Sequence, residues 1–112
     1  MTCRKGKYCI VCKTNECGMY IEERQGYIID DKFGFTKNEQ GLYMPTDLET
    51  GMLMFVPNSQ FYSLVKAYII TKRTFDAHKT TYELMRKSDK SIKKAVKMIK
   101  EYNNKNALHR NI

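Results

Sequence analysis

Apolar positions in the first half of the chain come in short runs that are separated by glycines. Segments rich in β-branched and aromatic residues alternate with turn signals at Gly18, Gly26 and Gly51. Runs of this length bounded by glycine predict antiparallel strands joined by hairpins. Gly18 and Gly51 suit the positive φ that closes a turn, and Gln25-Gly26 predicts a further hairpin. Residues 1–57 are therefore predicted to form a β-meander of about four to five short strands.

A polar stretch, residues 32–41, interrupts this pattern and predicts a mobile loop. Phe33 and Phe35 flank Gly34 inside it. Aromatic side chains in a polar loop are available to a partner, and stacking on nucleic-acid bases is one use of them. We expect Phe33 and Phe35 to be exposed and to bind a partner, whereas core packing is expected for most other aromatic residues.

Beyond Pro57 the pattern becomes helical, and no Gly or Pro follows. Apolar side chains recur at alternating spacings of four and three over residues 64–85, which predicts one long helix capped by Asn58 or Ser59. Val65 and Ile69 widen its apolar face, so the N-terminal end is expected to be the more deeply buried.

A second helix is predicted to begin at Ser88-Asp89, which ends the first helix and caps the next. Its apolar face consists of Ile92, Ala95, Val96, Ile99 and Tyr102. Residues 105–112 are expected to fray.

Together these elements predict an α+β fold in which the meander packs against two amphipathic helices. At 112 residues the chain suits a single domain, 1–112, with a β-sheet half at 1–57 and a helical half at 58–112. No apolar run approaches the roughly 20 residues of a membrane span, and residues 52–56, for example, number only five. No apolar segment follows the basic N-terminus, so no secretory signal is predicted. We expect a cytoplasmic protein with reduced thiols and no membrane partner.

Charge divides the chain into segments of opposite sign. Residues 21–60 carry seven acidic and three basic side chains, whereas residues 61–112 carry thirteen basic and four acidic ones. The whole chain has a formal net charge of +8. Such an imbalance is tolerated when the basic surface meets a polyanionic or acidic partner.

The second predicted helix concentrates much of this positive charge on one side. At about 100° per residue, five of its lysines fall within an arc of roughly 120° opposite the apolar face. With two basic residues upstream, the predicted partner-binding residues are Arg86, Lys87, Lys90, Lys93, Lys94, Lys97 and Lys100. Such lysines contact phosphates singly, with strong salt dependence and little sequence preference. An acidic protein surface and a plain solvated helix face are the alternatives.

Four cysteines lie near the N-terminus, at Cys3, Cys9, Cys12 and Cys17. Four thiolates this close could hold one tetrahedral Zn²⁺ ion, the one cofactor that the sequence suggests. Cys9 and Cys12 set the test, because residues three apart in a regular strand point to opposite faces and cannot share an ion. Free thiols are the alternative. A redox pair has little support, because no helix N-terminus is predicted that would lower a thiol pKa.

The chain contains no sequence motif that names a reaction. P-loop, nucleophile-elbow and zinc-protease motifs are absent from it. His78 falls on the helical stripe and is expected to be semi-buried. Acidic residues could converge on a metal ion as in a nuclease, namely Asp30, Asp31, Asp47 and Glu49. Because turns favour acidic residues for local reasons, we expect no enzymatic activity.

In size and texture the chain resembles small accessory proteins of phages and mobile elements. The shared features are a compact Lys- and Asn-rich domain and a Thr-Asp-Leu-Glu-Thr-Gly hairpin leading into a long amphipathic helix. That class includes stoichiometric inhibitors of host defence complexes, such as anti-CRISPR proteins. The resemblance implies an inhibitor or regulator that docks on a host protein or ribonucleoprotein complex, and it assigns no residue roles.

Three functional hypotheses follow. In the first, an inhibitor docks through the basic helix and an acidic sheet edge formed by Glu22, Glu23, Asp30, Asp31, Asp47 and Glu49. In the second, the protein is a regulator that binds nucleic acid directly through phosphates. The third is a small metal-dependent nuclease or hydrolase. The acidic segment favours the first, since a dedicated nucleic-acid-binding protein gains nothing from it.

Overall fold

A computed structural model describes residues 2–16, 18–54 and 62–106. Five strands and three helices lie within these ranges. In chain order they are β1 (Cys3–Thr14), β2 (Gly18–Ile29), β3 (Phe33–Lys37), β4 (Tyr43–Asp47), β5 (Met52–Leu53), α1 (Leu64–Ala77), α2 (Lys79–Ser88) and α3 (Lys90–Asn106). The predicted α+β class, with the strands preceding the helices, is confirmed.

The strands form one antiparallel meander in which each strand pairs with its neighbour in sequence. β1 and β2 make the longest pair, with 12 residues in each strand. The sheet also curls, as the hydrogen bond of 2.7 Å from the Val11 N–H to the Gly51 carbonyl shows. This bond joins β1 to the turn before β5, so the first and last strands approach each other.

The two faces of the sheet bury separate apolar clusters. Tyr8, Ile28 and Leu48 form one cluster, which contains no helical residue among those described. The curl of the sheet encloses it, and Gly34 makes room for Tyr8, since a Cβ at Gly34 would lie 2.6 Å from the tyrosine ring. The other face carries the main core, in which strands meet α1 through Ile29, Phe33, Phe35, Tyr43, Met54, Ala67, Tyr68 and Phe75.

α1 is positioned by its cap and by one aromatic contact. Ser63 caps the helix, and its hydroxyl accepts a hydrogen bond from a backbone N–H of the first turn. The Phe75 ring packs edge-on against Phe33, with centroids 5.6 Å apart. The predicted caps, Asn58 and Ser59, lie outside the described residues. Because α1 begins at Leu64, neither of them is next to its first turn.

Three apolar side chains in and just before the N-terminal half of α1 are more exposed than the sequence predicts. Tyr62, Val65 and Ile69 are 70%, 55% and 46% exposed. Tyr68 and Phe75 lie on the side that packs against the sheet. The prediction that Val65 and Ile69 widen the buried face is therefore wrong. The N-terminal end is still the more deeply buried part of the predicted helix, as expected, because α1 (Leu64–Ala77) buries four residues and α2 (Lys79–Ser88) buries none.

The predicted long helix breaks at His78 into α1 and α2. His78 adopts φ −111° and ψ 21°, and its N–H donates to two carbonyls in the last turn of α1. Thr80 and Thr81 follow, and β-branched residues are weak helix formers. Beyond the break, Tyr82 stacks on Phe75 with ring centroids 5.1 Å apart. His78 is exposed, so its predicted semi-buried position is wrong.

The hairpin predicted at Gln25-Gly26 is wrong, because both residues lie inside β2. The chain turns instead at Asp30 and Asp31, which take positive φ values of 58° and 52°. The Lys32 N–H donates to the carbonyl of the residue before this pair over 3.1 Å, closing a tight turn. Positive φ in two consecutive residues is the geometry of a type I′ hairpin.

The mobile loop predicted at residues 32–41 is also wrong in its first half. Residues 33–37 form β3, the middle strand of the five. Both faces of this strand are covered, one by α1 and the other by Tyr8. The segment therefore belongs to the centre of the fold.

Candidate functional site

α3 presents five lysines on the side opposite its buried face. Asp89 caps the helix as predicted, by accepting a hydrogen bond from the Ile92 N–H at 3.1 Å. Ile92, Ala95 and Ile99 are buried, and Ile99 packs so closely on Gly51 that a Cβ there would lie 2.6 Å from its Cδ1. These contacts fix the rotation of the helix. The exposed lysines, named the lysine row below, are Lys90, Lys93, Lys94, Lys97 and Lys100.

The lysine row weakens the helix that carries it. Like charges three or four residues apart repel by about 0.2–0.5 kcal/mol per pair, and cations near a helix N-terminus oppose the macrodipole. Glu101 is the one acidic side chain of α3. Within the described residues, no ion pair joins the row to a carboxylate. Exposed, mutually repelling charge of this kind is expected of a surface that binds an anionic partner.

Arg86 does not belong to this surface, which corrects its prediction as a partner-binding residue. Its guanidinium donates to Asp47 Oδ2 over 2.6 Å and lies 3.2 Å from Glu49 Oε1. The Asp47 side chain is only 10% exposed. Arg86 therefore ties α2 to the β4–β5 loop. Lys87 is exposed, and its role stays a prediction, as does that of the lysine row.

The predicted acidic sheet edge is engaged within the fold. Each of its six carboxylates has an internal partner: Glu22 with Arg24, Asp31 with Arg4, Asp47 and Glu49 with Arg86, Glu23 with Tyr102, and Asp30 with Tyr68. The Tyr68 hydroxyl donates to Asp30 Oδ2 over 2.6 Å and holds the pKa of that carboxyl below its usual value. Three arginines therefore balance three of the six charges, and the two tyrosines hold the Asp30 and Glu23 carboxylates without neutralising them.

These carboxylates do not assemble a metal site. No group of three or more His, Cys, Asp or Glu side chains is placed to hold a metal ion in residues 2–16, 18–54 and 62–106. Arg86 and Arg4 occupy the positions beside Asp47 and Asp31 where a cation would bind. In the described residues, therefore, the carboxylates do not form the metal centre that the nuclease hypothesis needs.

Phe33 and Phe35 are buried, which corrects their prediction as exposed partner-binding residues. They are 1% and 0% exposed. Both side chains project from β3 into the main core beside α1. The polar residues around them in sequence lie in turns and at strand ends, so local composition gave a misleading indication of exposure.

Cys9 and Cys12 lie on opposite faces of β1. The strand pairs with β2 in unbroken register through both residues, and side chains three apart in such a strand point in opposite directions. Burial, and next the Glu23 carboxylate, raise the pKa of the Cys9 thiol to about 11. This register does not allow the predicted zinc site, and Cys17 lies outside the described residues.

A groove that the sequence analysis did not identify runs over β1 and β2. It has a volume of about 430 Å³ and is lined by Lys5, Gly6, Lys7, Gln25, Gly26 and Tyr27. The Lys5 ammonium lies 5.8 Å from the centroid of the Tyr27 ring. In sequence the groove corresponds to Lys5 and Lys7 on β1 and to Gln25 and Tyr27 on β2. These pairs can be recognised as neighbours only when the register of the two strands is known.

Comparisons with known proteins add no relative. No protein-family model, no curated protein and no solved structure matches the chain. Among the helices of the described residues, none has the length and apolar character needed to cross a bilayer. Function is therefore inferred from the charged surfaces themselves.

Proposed function

We propose that this protein is a non-enzymatic, cytoplasmic nucleic-acid-binding protein that contacts phosphates through the lysine row of α3. One contrast carries the proposal. In the described residues the lysine row is exposed and makes no ion pair, whereas all six carboxylates of the sheet edge have internal partners. Because those carboxylates already have partners within the fold, the lysine row is the larger charge without one, which weakens the reason for preferring a docking inhibitor.

Lysine chemistry sets the kind of binding. From Lys90 to Lys100 the row extends about 15 Å at 1.5 Å per residue. Each phosphate that a lysine neutralises on duplex DNA adds about −0.9 to the slope of log affinity against log salt. Five contacts would reduce the affinity by a few hundred-fold between about 50 and 200 mM salt. A single ammonium cannot read a base edge as a bidentate guanidinium does, so the binding is largely independent of sequence.

Charge reversal of the row tests the proposal. The triple variant Lys93→Glu, Lys97→Glu, Lys100→Glu should bind labelled duplex and single strands at least about 100-fold more weakly and with a flatter salt slope. Its thermal unfolding should stay cooperative, because the three side chains are exposed. Fluorescence anisotropy at several salt concentrations measures both effects.

The matched control makes the same change in net charge on other helices. It carries Lys66→Glu, Arg73→Glu and Lys79→Glu, all at exposed positions of α1 and α2. This control should bind far more tightly than the α3 variant. Equal losses in the two variants would mean that binding follows overall charge, and the lysine row would then not be a site.

A second candidate, a docking inhibitor of a host protein or ribonucleoprotein complex, is favoured by one observation. Val65 and Ile69 of α1, and Tyr62 just before the helix, are exposed apolar side chains, and exposed apolar patches mark protein interaction sites. If the wild-type protein binds neither duplex nor single strands at near-physiological salt, the first proposal fails and this one stands. Val65→Glu and Ile69→Glu would then be the variants that release the partner.

A further inference from the structure

We propose that the groove over β1 and β2 is a subsite for single-stranded nucleic acid. In this subsite Tyr27 stacks on a base, while Lys5 and Lys7 contact the flanking phosphates. The inference rests on the proposed nucleic-acid-binding function and narrows its ligand from any polyanion to an unpaired strand.

The groove has a floor and walls that suit a flat ligand. Gly6 and Gly26 face each other in the register, so backbone forms the floor. Lys5 and Lys7 stand on the β1 side and Tyr27 on the β2 side, all on one face because side chains alternate along a strand. The volume of about 430 Å³ falls in the range of ligand pockets, about 300–1,000 Å³.

Tyr27 is held in place for stacking. It packs edge-to-face on Tyr43, with ring centroids 6.3 Å apart, and it is half-buried. The Lys5 ammonium lies over the ring at 5.8 Å from its centroid, so the π-face of Tyr27 is directed towards the groove. A ring fixed by its neighbours loses little conformational freedom when a base stacks on it.

The groove carries positive charge without a competing carboxylate. Lys5 and Lys7 are exposed and make no ion pair in the described part of the chain. Lys37 lies on the same face of the sheet, two residues beyond the partner of Tyr27 in β3. The next carboxylate along this face of β2, Glu23, already interacts with Tyr102.

The groove also lies near the helix that carries the lysine row, on the side of that helix that faces the sheet. Tyr102 of α3 interacts with Glu23, and Gln25 is the next residue on that face of β2, about 7 Å further along the strand. Tyr102 belongs to the side of α3 opposite the lysine row, so a strand would pass around the C-terminal end of the helix to contact both the row and the groove. A duplex keeps its bases stacked, so only an unpaired strand can offer a base to Tyr27.

The test compares a labelled thymidine oligonucleotide of about 12 nucleotides with its duplex, by fluorescence anisotropy. The wild-type protein should bind the single strand more tightly. Tyr27→Leu should reduce single-strand affinity about tenfold or more and leave duplex affinity unchanged, whereas the matched control Tyr27→Phe keeps the ring and the affinity. Replacing Lys5 and Lys7 with Gln should reduce the single-strand salt slope by about 1.4, at about 0.7 per phosphate.

The outcomes separate the subsite from the proposed function. If the Tyr27→Leu and the Lys5→Gln, Lys7→Gln variants bind the single strand like wild type while the α3 triple variant does not, the subsite is overturned and the function stands. If wild type binds neither probe, both are overturned. Should Tyr27→Leu fail to fold, the variant of the two exposed lysines decides alone, because neither lysine belongs to the core.

Discussion

At the scale of single residues, Asp30 joins the two halves of the chain. Its carboxylate accepts the Tyr68 hydroxyl of α1 at 2.6 Å and the Thr2 N–H at 3.0 Å. The tyrosine hydrogen bond is the largest influence on the Asp30 pKa, which it lowers, and the same bond raises the pKa of Tyr68. A carboxylate in a turn, where acidic residues are common, thus also positions the first helix on the sheet.

The Asp30–Tyr68 hydrogen bond predicts a pH dependence of stability. Tyr68→Phe should lower the free energy of unfolding by about 1–2 kcal/mol near neutral pH. Because Asp30 has a lower pKa in the folded chain than in the unfolded one, the stabilisation is complete above the unfolded value of about 4 and is lost as pH falls through the folded value. Urea unfolding at about pH 7 and about pH 3 should show the difference from wild type shrinking in acid.

Tyr62→Phe is the matched control for this experiment. Tyr62 is 70% exposed, so loss of its hydroxyl should leave the stability unchanged at both pH values. If Tyr68→Phe is destabilised in acid by as much as at neutral pH, the loss comes from packing. The hydrogen bond to the ionised Asp30 carboxylate would then not contribute to stability.

At the scale of elements, Gly34 allows β3 to lie against the ring of Tyr8. A Cβ at Gly34 would lie 2.6 Å from Tyr8 Cε2 and Cζ, and Tyr8 is itself almost fully buried. Gly34→Ala should therefore lower the free energy of unfolding by about 1–3 kcal/mol through overpacking. In a Tyr8→Leu background the same substitution should be less destabilising, since the ring is gone. Urea unfolding of the four proteins gives the coupling, and strictly additive losses would contradict the contact.

Elements set by local chemistry could be predicted from the sequence. α3 has the predicted cap at Asp89 and the predicted buried side, with Ile92 and Ile99 against the fold. Gly18 and Gly51 take the predicted positive φ, at 67° and 68°. In each case the deciding interactions lie within one turn or one helix face, so the sequence pattern contains them.

Elements set by tertiary contacts could not be predicted in this way. Gly26 indicated a turn, yet it lies inside β2. Glycine is needed there because a Cβ would lie 2.2 Å from the Phe35 carbonyl oxygen. Gly34 indicated a loop, yet it lies inside β3, where glycine leaves room for the Tyr8 ring. The true turn uses Asp30 and Asp31, and the contact that anchors it comes from Tyr68, 38 residues away. Glycines needed for a close approach and glycines needed for a turn look alike in sequence.

At the scale of the whole molecule, most of the described arginines are paired with carboxylates, whereas the lysines of α3 are not. In the described residues Arg4, Arg24 and Arg86 form ion pairs with carboxylates, whereas the exposed Arg73 and the lysine row form none. Guanidinium suits fixed, paired geometries, and ammonium suits mobile contacts with phosphates. The sequence located the lysine row because its residues are local, but it could not exclude Arg86, whose partner Asp47 lies 39 residues away.

The ion pair between Arg86 and Asp47 links the helical half to the sheet half. Arg86→Met should lower the free energy of unfolding by about 3–5 kcal/mol, because it leaves the Asp47 carboxylate buried without its strongest cation. Glu49, whose N–H donates to Asp47 Oδ1 over 3.1 Å, cannot replace that charge. Asp47→Asn removes the buried charge, so combining it with Arg86→Met should restore part of the stability.

Salt should affect the Arg86–Asp47 ion pair and the binding of nucleic acid to the lysine row to different extents, which separates internal pairing from partner binding. The Arg86 and Asp47 side chains are 19% and 10% exposed, and buried pairs are screened far less than surface charges. Added salt should therefore change very little the coupling energy measured by urea unfolding in a double-mutant cycle. The same salt should weaken the proposed nucleic-acid binding of the lysine row by orders of magnitude. A double variant as unstable as the sum of the two single variants would show that the pair does not hold the halves together.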